Sequence, residues 1–244
     1  MTEASSAITD AVLRPVRLGN AFEETVERLL EGIKLGVHAC GDRLPAERDL
    51  AGRLGVSRVT VREALRALAA AGYVETRRGR FGGTFVTYQP RPLRHGELTR
   101  AARGMGGLLA DALTFRQVVE TGAAEAAARA GLSRGQREKL TARLAEVEAA
   151  GLAGYRQADS RLHLAIAEAA GSPLLTTSVV DVRVRLVDLL NAIPMLERNL
   201  VHSNAQHAGV VRAILAGDPD GARRAMAEHV EGTAALLRGF LGAP

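Results

Sequence analysis

Apolar residues recur with helical spacing from early in the chain. Phe22, Val26, Leu29, Leu30 and Ile33 follow an Asn20–Glu23 pair with capping-box spacing, which predicts a first helix ending near Leu35. Pro45 suits the first turn of a short helix that carries Leu50 and Leu54 and stops at Gly55. Ser57 caps the next helix, Arg58 to about Ala71, with Gly72 as its stop. Here Val61, Ala64, Leu65 and Leu68 share one face, and Arg58, Arg62 and Arg66 another. The period then changes. Tyr73-Val74-Glu75-Thr76, a glycine-rich turn from Arg77 to Gly83, and Thr84-Phe85-Val86 read as a β-hairpin, the wing beside a helix-turn-helix.

Residues 87–98 hold Pro90, Arg91, Pro92, Arg94 and Gly96 without an apolar period, which predicts a linker. From Thr99 onward only helical patterns appear, with stops expected at Gly131, Gly154, Gly171 and Gly217. Ser133 with Gln136, Ser172 before Pro173, and Asp218 before Pro219 are helix-start signals. Six or seven antiparallel helices follow from this pattern. The expected fold is mainly α: an N-terminal winged helix-turn-helix with a small β-hairpin wing, plus a C-terminal all-α antiparallel helical bundle. The expected divisions are a tail (1–14), the winged helix-turn-helix unit (15–86), the linker (87–98) and the helical domain (99–241).

Composition sharpens this picture at three points. Aromatic residues are 3 % of the chain and tryptophan is absent, so the core must be built from small and aliphatic side chains on helices. Cys40 is the single cysteine, which excludes an intramolecular disulfide or a cysteine-cluster zinc site and suits a reducing compartment, the cytoplasm. Met1 to Asp10 lack the apolar core of a secretory signal, and no apolar run is long enough to span a bilayer, so no membrane partner is expected. The net charge of +5 is lodged in residues 1–104, with 17 Lys and Arg against 12 Asp and Glu; the remainder balances 15 against 15. A nucleic-acid partner belongs to the first half.

A helix in the major groove needs side chains long enough to reach base edges, and arginine can bond guanine bidentately. Arg58 and Arg62, four apart, lie on one helix face. Arg48 on the preceding helix and Ser57 at the cap are placed to hold phosphates. The run LPAERDLAGRLGVSRVTVREALRALAAAGYVETRRGRFGGTFV, Leu44 to Val86, resembles the winged helix-turn-helix of the GntR family of bacterial regulators. The resemblance implies DNA contacts from Arg48, Arg58, Thr60, Arg62 and the wing-tip residues Arg78 and Gly79. Phe81-Gly82-Gly83 makes the wing tip slightly longer than the commonest family pattern. GRFGG lacks the lysine and following helix of a phosphate-binding P-loop.

In the second half, Asp159 and His163 of ADSRLHLAIAEAAG stand four apart on one helix and point to the same side. His207, opening HAGVVRAILAGD, and His229, in ARRAMAEHVEG, are each a polar exception in an amphipathic helix. Three imidazoles and a carboxylate suit a divalent transition metal, zinc first and nickel or manganese next. These spacings, with FRQVVETGAAEAAARAG before them, resemble the FCD ligand-binding domain of the FadR-type branch of the GntR family. The resemblance implies that Asp159, His163, His207 and His229 are the metal ligands. It also implies that a small carboxylic acid completes the coordination, with Arg116 pairing its charge. Arg116 could equally be a surface residue beside Glu120. His202, Ser203 and Asn204 could line the same cavity. Leu162 stands where phenylalanine is usual and Ser172 where asparagine is common, departures that concern packing and capping.

The expected protein is therefore a homodimeric transcription regulator, a repressor by the commoner sign, bound to a near-palindromic operator and controlled by a carboxylate effector. Coupling is expected to run through helices that contact the Thr87 to Glu97 linker. One alternative is a regulator whose metal is purely structural or is itself the signal. Another is a metallohydrolase, against which Glu168 and Glu228, the nearest bases, fall off the metal face. The chain is accordingly read as a non-enzyme.

Overall fold

The first described helix, α1 (Ala21–Lys34), begins where Asn20 accepts a hydrogen bond from the Phe22 amide, rather than through a full capping box with Glu23. The computed structural model describes residues 20–90, 108–192 and 197–241. The expected tail and most of the expected linker lie outside the described residues. α2 (Glu47–Leu54) has Ala46 as its N-cap, so Pro45 precedes the cap instead of occupying the first turn. Gly55, at φ +68°, ends α2 in the left-handed conformation. α3 (Arg58–Ala70) starts where the Ser57 hydroxyl accepts from the Thr60 amide at 3.0 Å.

β1 (Val74–Arg77) and β2 (Gly83–Val86) pair antiparallel, with Val74 opposite Val86 and Arg77 opposite Gly83. Ile33, Leu50, Val61, Leu65, Leu68 and Val86 meet in one core, so three helices and the hairpin root form a single small unit. Burial of this apolar face leaves Arg58 and Arg62 outside.

Six further helices occupy the rest of the described residues: α4 (Leu108–Arg129), α5 (Arg134–Ala149), α6 (Tyr155–Ala169), α7 (Pro173–Ala192), α8 (Glu197–Ala216) and α9 (Pro219–Leu241). Ser133 and Gln136 close a reciprocal capping box on α5, and Asp218 accepts from the Gly221 amide at α9. Gly131, Gly171 and Gly217 are left-handed stops as expected. Gly154 is instead the N-cap of α6, with an ordinary negative φ.

α4 is the central helix and touches α6, α7, α8 and α9. Its buried Ala123, Ala124, Ala127 and Ala128 keep its surface low, which lets neighbouring backbones come close on several sides. Two apolar clusters flank it. One gathers Leu140, Leu162, Ile166, Val210, Ile214, Met226 and Val230; the other gathers Leu113, Val119, Val182, Leu186, Leu189 and Leu237.

The two units meet through α1, α6 and α7. The Gln157 side-chain amide donates to the Ile33 carbonyl at 3.1 Å, and Arg161 Nη1 donates to the Gly36 carbonyl at 3.0 Å. Both acceptors lie at the α1 C-terminus, where helix carbonyls lack intrahelical partners. Lys34 Nζ reaches Asp188 Oδ2 at 2.8 Å. Gly36 holds φ +73°, and a Cβ there would lie 2.6 Å from Gln157 Cβ.

This close approach gives a test of domain docking. Gly55→Ala meets open space and should cost about 1–2 kcal/mol from backbone strain alone. Gly36→Ala should cost more, because the added methyl also collides with Gln157 and Arg161. Equal losses in thermal unfolding would show that the two units are not docked in solution.

Candidate metal centre and nucleic-acid interface

On α6, Asp159 and His163 are one turn apart and face the bundle axis. His207 stands in the middle of α8, not at the start of a segment, and His229 lies on α9. The fold brings all four together: one ligand atom from each falls within 4.8 Å of the others. Each residue is buried. His163 Nε2 and His207 Nε2 both lie 3.2 Å from His229 Nε2. Asp159 Oδ1 lies 3.2 Å from His207 Nε2 and 3.7 Å from His163 Nε2.

Contacts at the outer nitrogens orient two of the three rings, whereas His207 Nδ1 is buried without a partner. His163 Nδ1 contacts a Glu120 carboxylate oxygen, and His229 Nδ1 faces Gln206 Oε1 at 3.3 Å. An acceptor on Nδ1 places the ring proton there and leaves the Nε2 lone pair pointing into the cluster. Burial pushes the His229 imidazole well below its ordinary pKa, aided by His207 and His163. Burial also lowers His163, against the pull of Glu120. Neutral imidazoles with lone pairs 3.2 Å apart repel unless a cation lies between them. The donor set therefore fits a divalent transition metal.

A second ring of charges surrounds the cluster. Arg183 Nη2 donates to Asp159 Oδ2 at 2.5 Å and to Ser160 Oγ at 3.1 Å, while its Nη1 lies 3.3 Å from Glu120 Oε1. Arg116 Nε donates to Glu120 Oε1 at 2.9 Å. Burial opposes ionisation of both carboxylates. Even so, Arg183 holds Asp159 well below the ordinary carboxylate range, and the hydrogen bond from His163 Nδ1–H, with Arg116 and Arg183, does the same for Glu120.

Arg116 is not a surface residue, although it does pair with Glu120; it is 1 % exposed. Arg183 and the inward role of Glu120 escaped the sequence reading. A signal existed for Arg183, which sits on the same helical stripe as Val179, Val182 and Leu186 and so is a charge on a buried face. Glu168 pairs with Lys139 on the surface, and Glu228 is exposed, so neither approaches the cluster as a base.

A cavity of about 240 Å³, walled by Tyr155 and Arg156 of α6, His202, Ser203 and Gln206 of α8, and Thr233 of α9, reaches the cluster through Gln206, which faces His229; none of the four ligand candidates lines it. Asn204 does not line it but accepts the Tyr155 hydroxyl at 3.1 Å. Burial pushes the Tyr155 hydroxyl pKa up, so it stays protonated and can donate.

In the N-terminal unit, Arg48, Arg58, Arg62 and Arg78 are all exposed. Arg62 is gripped by Glu47, with Nη2 to Oε2 at 2.8 Å, and Arg48 Nε lies 3.4 Å from Asp49 Oδ1. Thr60 is partly buried and shares a 2.8 Å hydrogen bond with the Ser57 hydroxyl. Gly79 turns the wing tip at φ +102°, and Phe81 beside it is 84 % exposed.

Two sequence families match the chain: "Bacterial regulatory proteins, gntR family" over residues 22–86 and "FCD domain" over residues 111–232. An Escherichia coli K12 protein assigned as regulator of the L-lactate dehydrogenase operon is 32 % identical, covering 94 % of this chain and 90 % of its own length. The E. coli K12 transcriptional repressor NanR is 28 % identical, covering 92 % and 86 %. The solved structure of E. coli McbR/YncC aligns with a TM-score of 0.51 at 20 % identity, covering 91 % of this chain and 99 % of that one.

The charge ring makes a stability prediction. Glu120→Ala leaves Arg116 and Arg183 short of a buried counter-charge and should lower unfolding free energy by about 3–5 kcal/mol, read by urea denaturation. A loss below about 1 kcal/mol would mean that water reaches and screens these guanidiniums.

Proposed function

The chain belongs to the GntR family of bacterial transcription regulators and carries an FCD domain, and from that premise we propose that it is a homodimeric repressor controlled by a small carboxylic acid bound at a metal site. Its relatives are transcriptional regulators, not enzymes. Among the described residues no helix is long and apolar enough to cross a membrane.

The observation that carries the proposal is the double role of α6. Asp159 and His163 face the histidine cluster, while Gln157 and Arg161, two residues out of phase, hold the Ile33 and Gly36 carbonyls of the DNA-binding unit. Residues two apart on a helix point about 200° apart, so one rigid rod presents the sensing residues on one side and the coupling residues on the other. Movement of α6 on loading the site would be felt at the end of α1 without passing through the linker.

In this reading Asp159, His163, His207 and His229 hold the metal, with zinc first among the candidates. When bound, the ion supplies an open coordination position for an oxygen ligand. The neighbouring cavity admits the acid, and its Ser203, Thr233 and His202 side chains can hydrogen-bond it. That a relative is assigned to an L-lactate dehydrogenase operon favours an acid of this small class, and the repressor NanR favours repression. A purely structural metal would not need a cavity beside it.

On DNA, the exposed face of α3 enters the major groove. Arg58 and Arg62 read or clamp bases, with Thr60 beside them. Arg48 and Ser57 hold phosphates, and Arg78 and Gly79 bring the wing to the backbone. Two copies place their recognition helices on the halves of a near-palindromic operator. Effector and DNA influence one another because each favours a different placement of α6 against α1.

Two measurements test these assignments. Arg58→Ala should weaken specific operator binding by about 1–3 kcal/mol with the fold intact, and unchanged affinity in a gel-shift titration would displace α3 as the reading element. Purified wild-type protein should hold one divalent ion per chain by elemental analysis, and His207→Ala should lose it together with any chelator-sensitive thermal shift by carboxylic acids. A His207→Ala protein that stays fully loaded would remove that residue from the site.

A further inference from the structure

The carboxylates and guanidiniums around the histidine cluster do not match in number. Glu120 is shared by Arg116 and Arg183, and Asp159 is bonded by Arg183, so two buried anions and two buried cations form a closed set. A third guanidinium, Arg156, stands one turn before Asp159 on α6. Among the described residues no carboxylate lies within ion-pair distance of it, and its Nε is shielded from water without a hydrogen-bond partner. Burial pushes its pKa below the usual arginine value, against the pull of Asp159.

Arg156 lies where two cavities adjoin. One is the 240 Å³ cavity lined by Tyr155, His202, Ser203, Gln206 and Thr233. The other is a space of about 10 Å³ shared with Asp159, Ser160, Arg183 and Asn191. On this second side Arg183 Nε and Asn191 Nδ2 are also buried without partners. Asp159 and Ser160, the acceptors there, are both engaged by Arg183. Among the described residues the junction thus gathers three unpartnered N–H groups, from Arg156, Arg183 and Asn191, which suit an anionic oxygen. Arg116, which the family resemblance implies as the partner of the effector, lines neither cavity; its Nε is engaged by Glu120, while its Nη1 is buried without a partner.

We propose that Arg156 anchors an acid group of the effector, and that the effector is a dicarboxylate whose other acid group lies at the histidine–aspartate cluster. This rests on the metal-assisted carboxylate reading above. With a divalent ion bound, three guanidiniums and the ion face two carboxylates, leaving three positive charges in excess. One carboxylate on the effector leaves two of these unmatched, and a second, placed on Arg156, reduces the imbalance further. The i, i+3 spacing places Arg156 and Asp159 on neighbouring positions of one face of α6, so a single small molecule can meet both.

The test uses the full-length zinc-loaded protein and its Arg156→Gln and Arg156→Lys variants. Malonate, succinate and glutarate are compared with acetate, propanoate and butanoate by calorimetry and thermal shift, with zinc content measured alongside. At least one dicarboxylate should bind wild type about tenfold or more tighter than its monocarboxylate counterpart, the gain of a charge-assisted contact. Arg156→Gln should lose that advantage while keeping its zinc, and Arg156→Lys should keep part of it. An advantage retained in Arg156→Gln, or no advantage in wild type while monocarboxylates still bind, overturns the role of Arg156 and leaves the earlier reading intact. Wild-type protein that takes up no zinc, or zinc-loaded protein that binds neither series, overturns the earlier reading and this one with it.

Discussion

Burial of charge governs the helical domain. Arg116, Glu120, Asp159 and Arg183 lie together in the bundle with three histidines, each almost fully removed from water. Removing an ion from water costs several kcal/mol, and only close, well-bonded partners offset this. The partners come from different helices: α4 supplies Arg116 and Glu120, α6 supplies Asp159 and His163, α7 supplies Arg183, and α8 and α9 supply one histidine each. A shift of any one of these helices would strand a charge. The apolar clusters on either side give the bundle its bulk stability, while the polar set constrains how the helices are placed. The alanines of α4 make this possible by letting four neighbours approach the central helix.

The same constraint bears on the proposed coupling between the helical domain and the N-terminal unit. α6 is anchored by the buried set on its inner face and by Gln157 and Arg161 on its outer face. The named outer contacts are hydrogen bonds, unlike those of the packed apolar interior. A small interface of hydrogen bonds and the Lys34–Asp188 pair can rearrange at modest cost. A rigid rod joining a tight site to a loose contact is suited to shifting a balance between two domain placements.

The N-terminal unit solves the opposite electrostatic problem. Its arginines remain in water, and their present partners are weak ones. Glu47 holds Arg62, and Arg62 in turn lowers the Glu47 pKa by a side-chain hydrogen bond, opposed by partial burial. An exposed pair of this kind contributes at most about 1 kcal/mol, so phosphate or base can replace it without a large penalty. In the proposed reading, the net positive charge of residues 1–104 favours approach of DNA to this half of the chain.

Local rules alone determined much of this protein. Helical period, caps such as Ser57 and Ser133, and left-handed glycines such as Gly55 and Gly171 are properties of a few adjacent residues, so the elements and the winged helix-turn-helix were readable in the chain. So was the Asp159–His163 pair, because one helix turn fixes its geometry. Gly154 and Pro45 misled slightly, since a glycine or proline near a helix end is compatible with more than one capping position. Apart from the four-ligand set, which family resemblance already implied, relations between distant segments were decided only by the tertiary structure. It placed His207 and His229 beside α6, turned Glu120 inward against His163, and lodged Arg183 between Glu120 and Asp159. Among the described residues it also left Arg156 without a carboxylate in ion-pair distance. These outcomes depend on how five helices share one buried volume, and partners more than twenty residues apart have no period or cap to announce them.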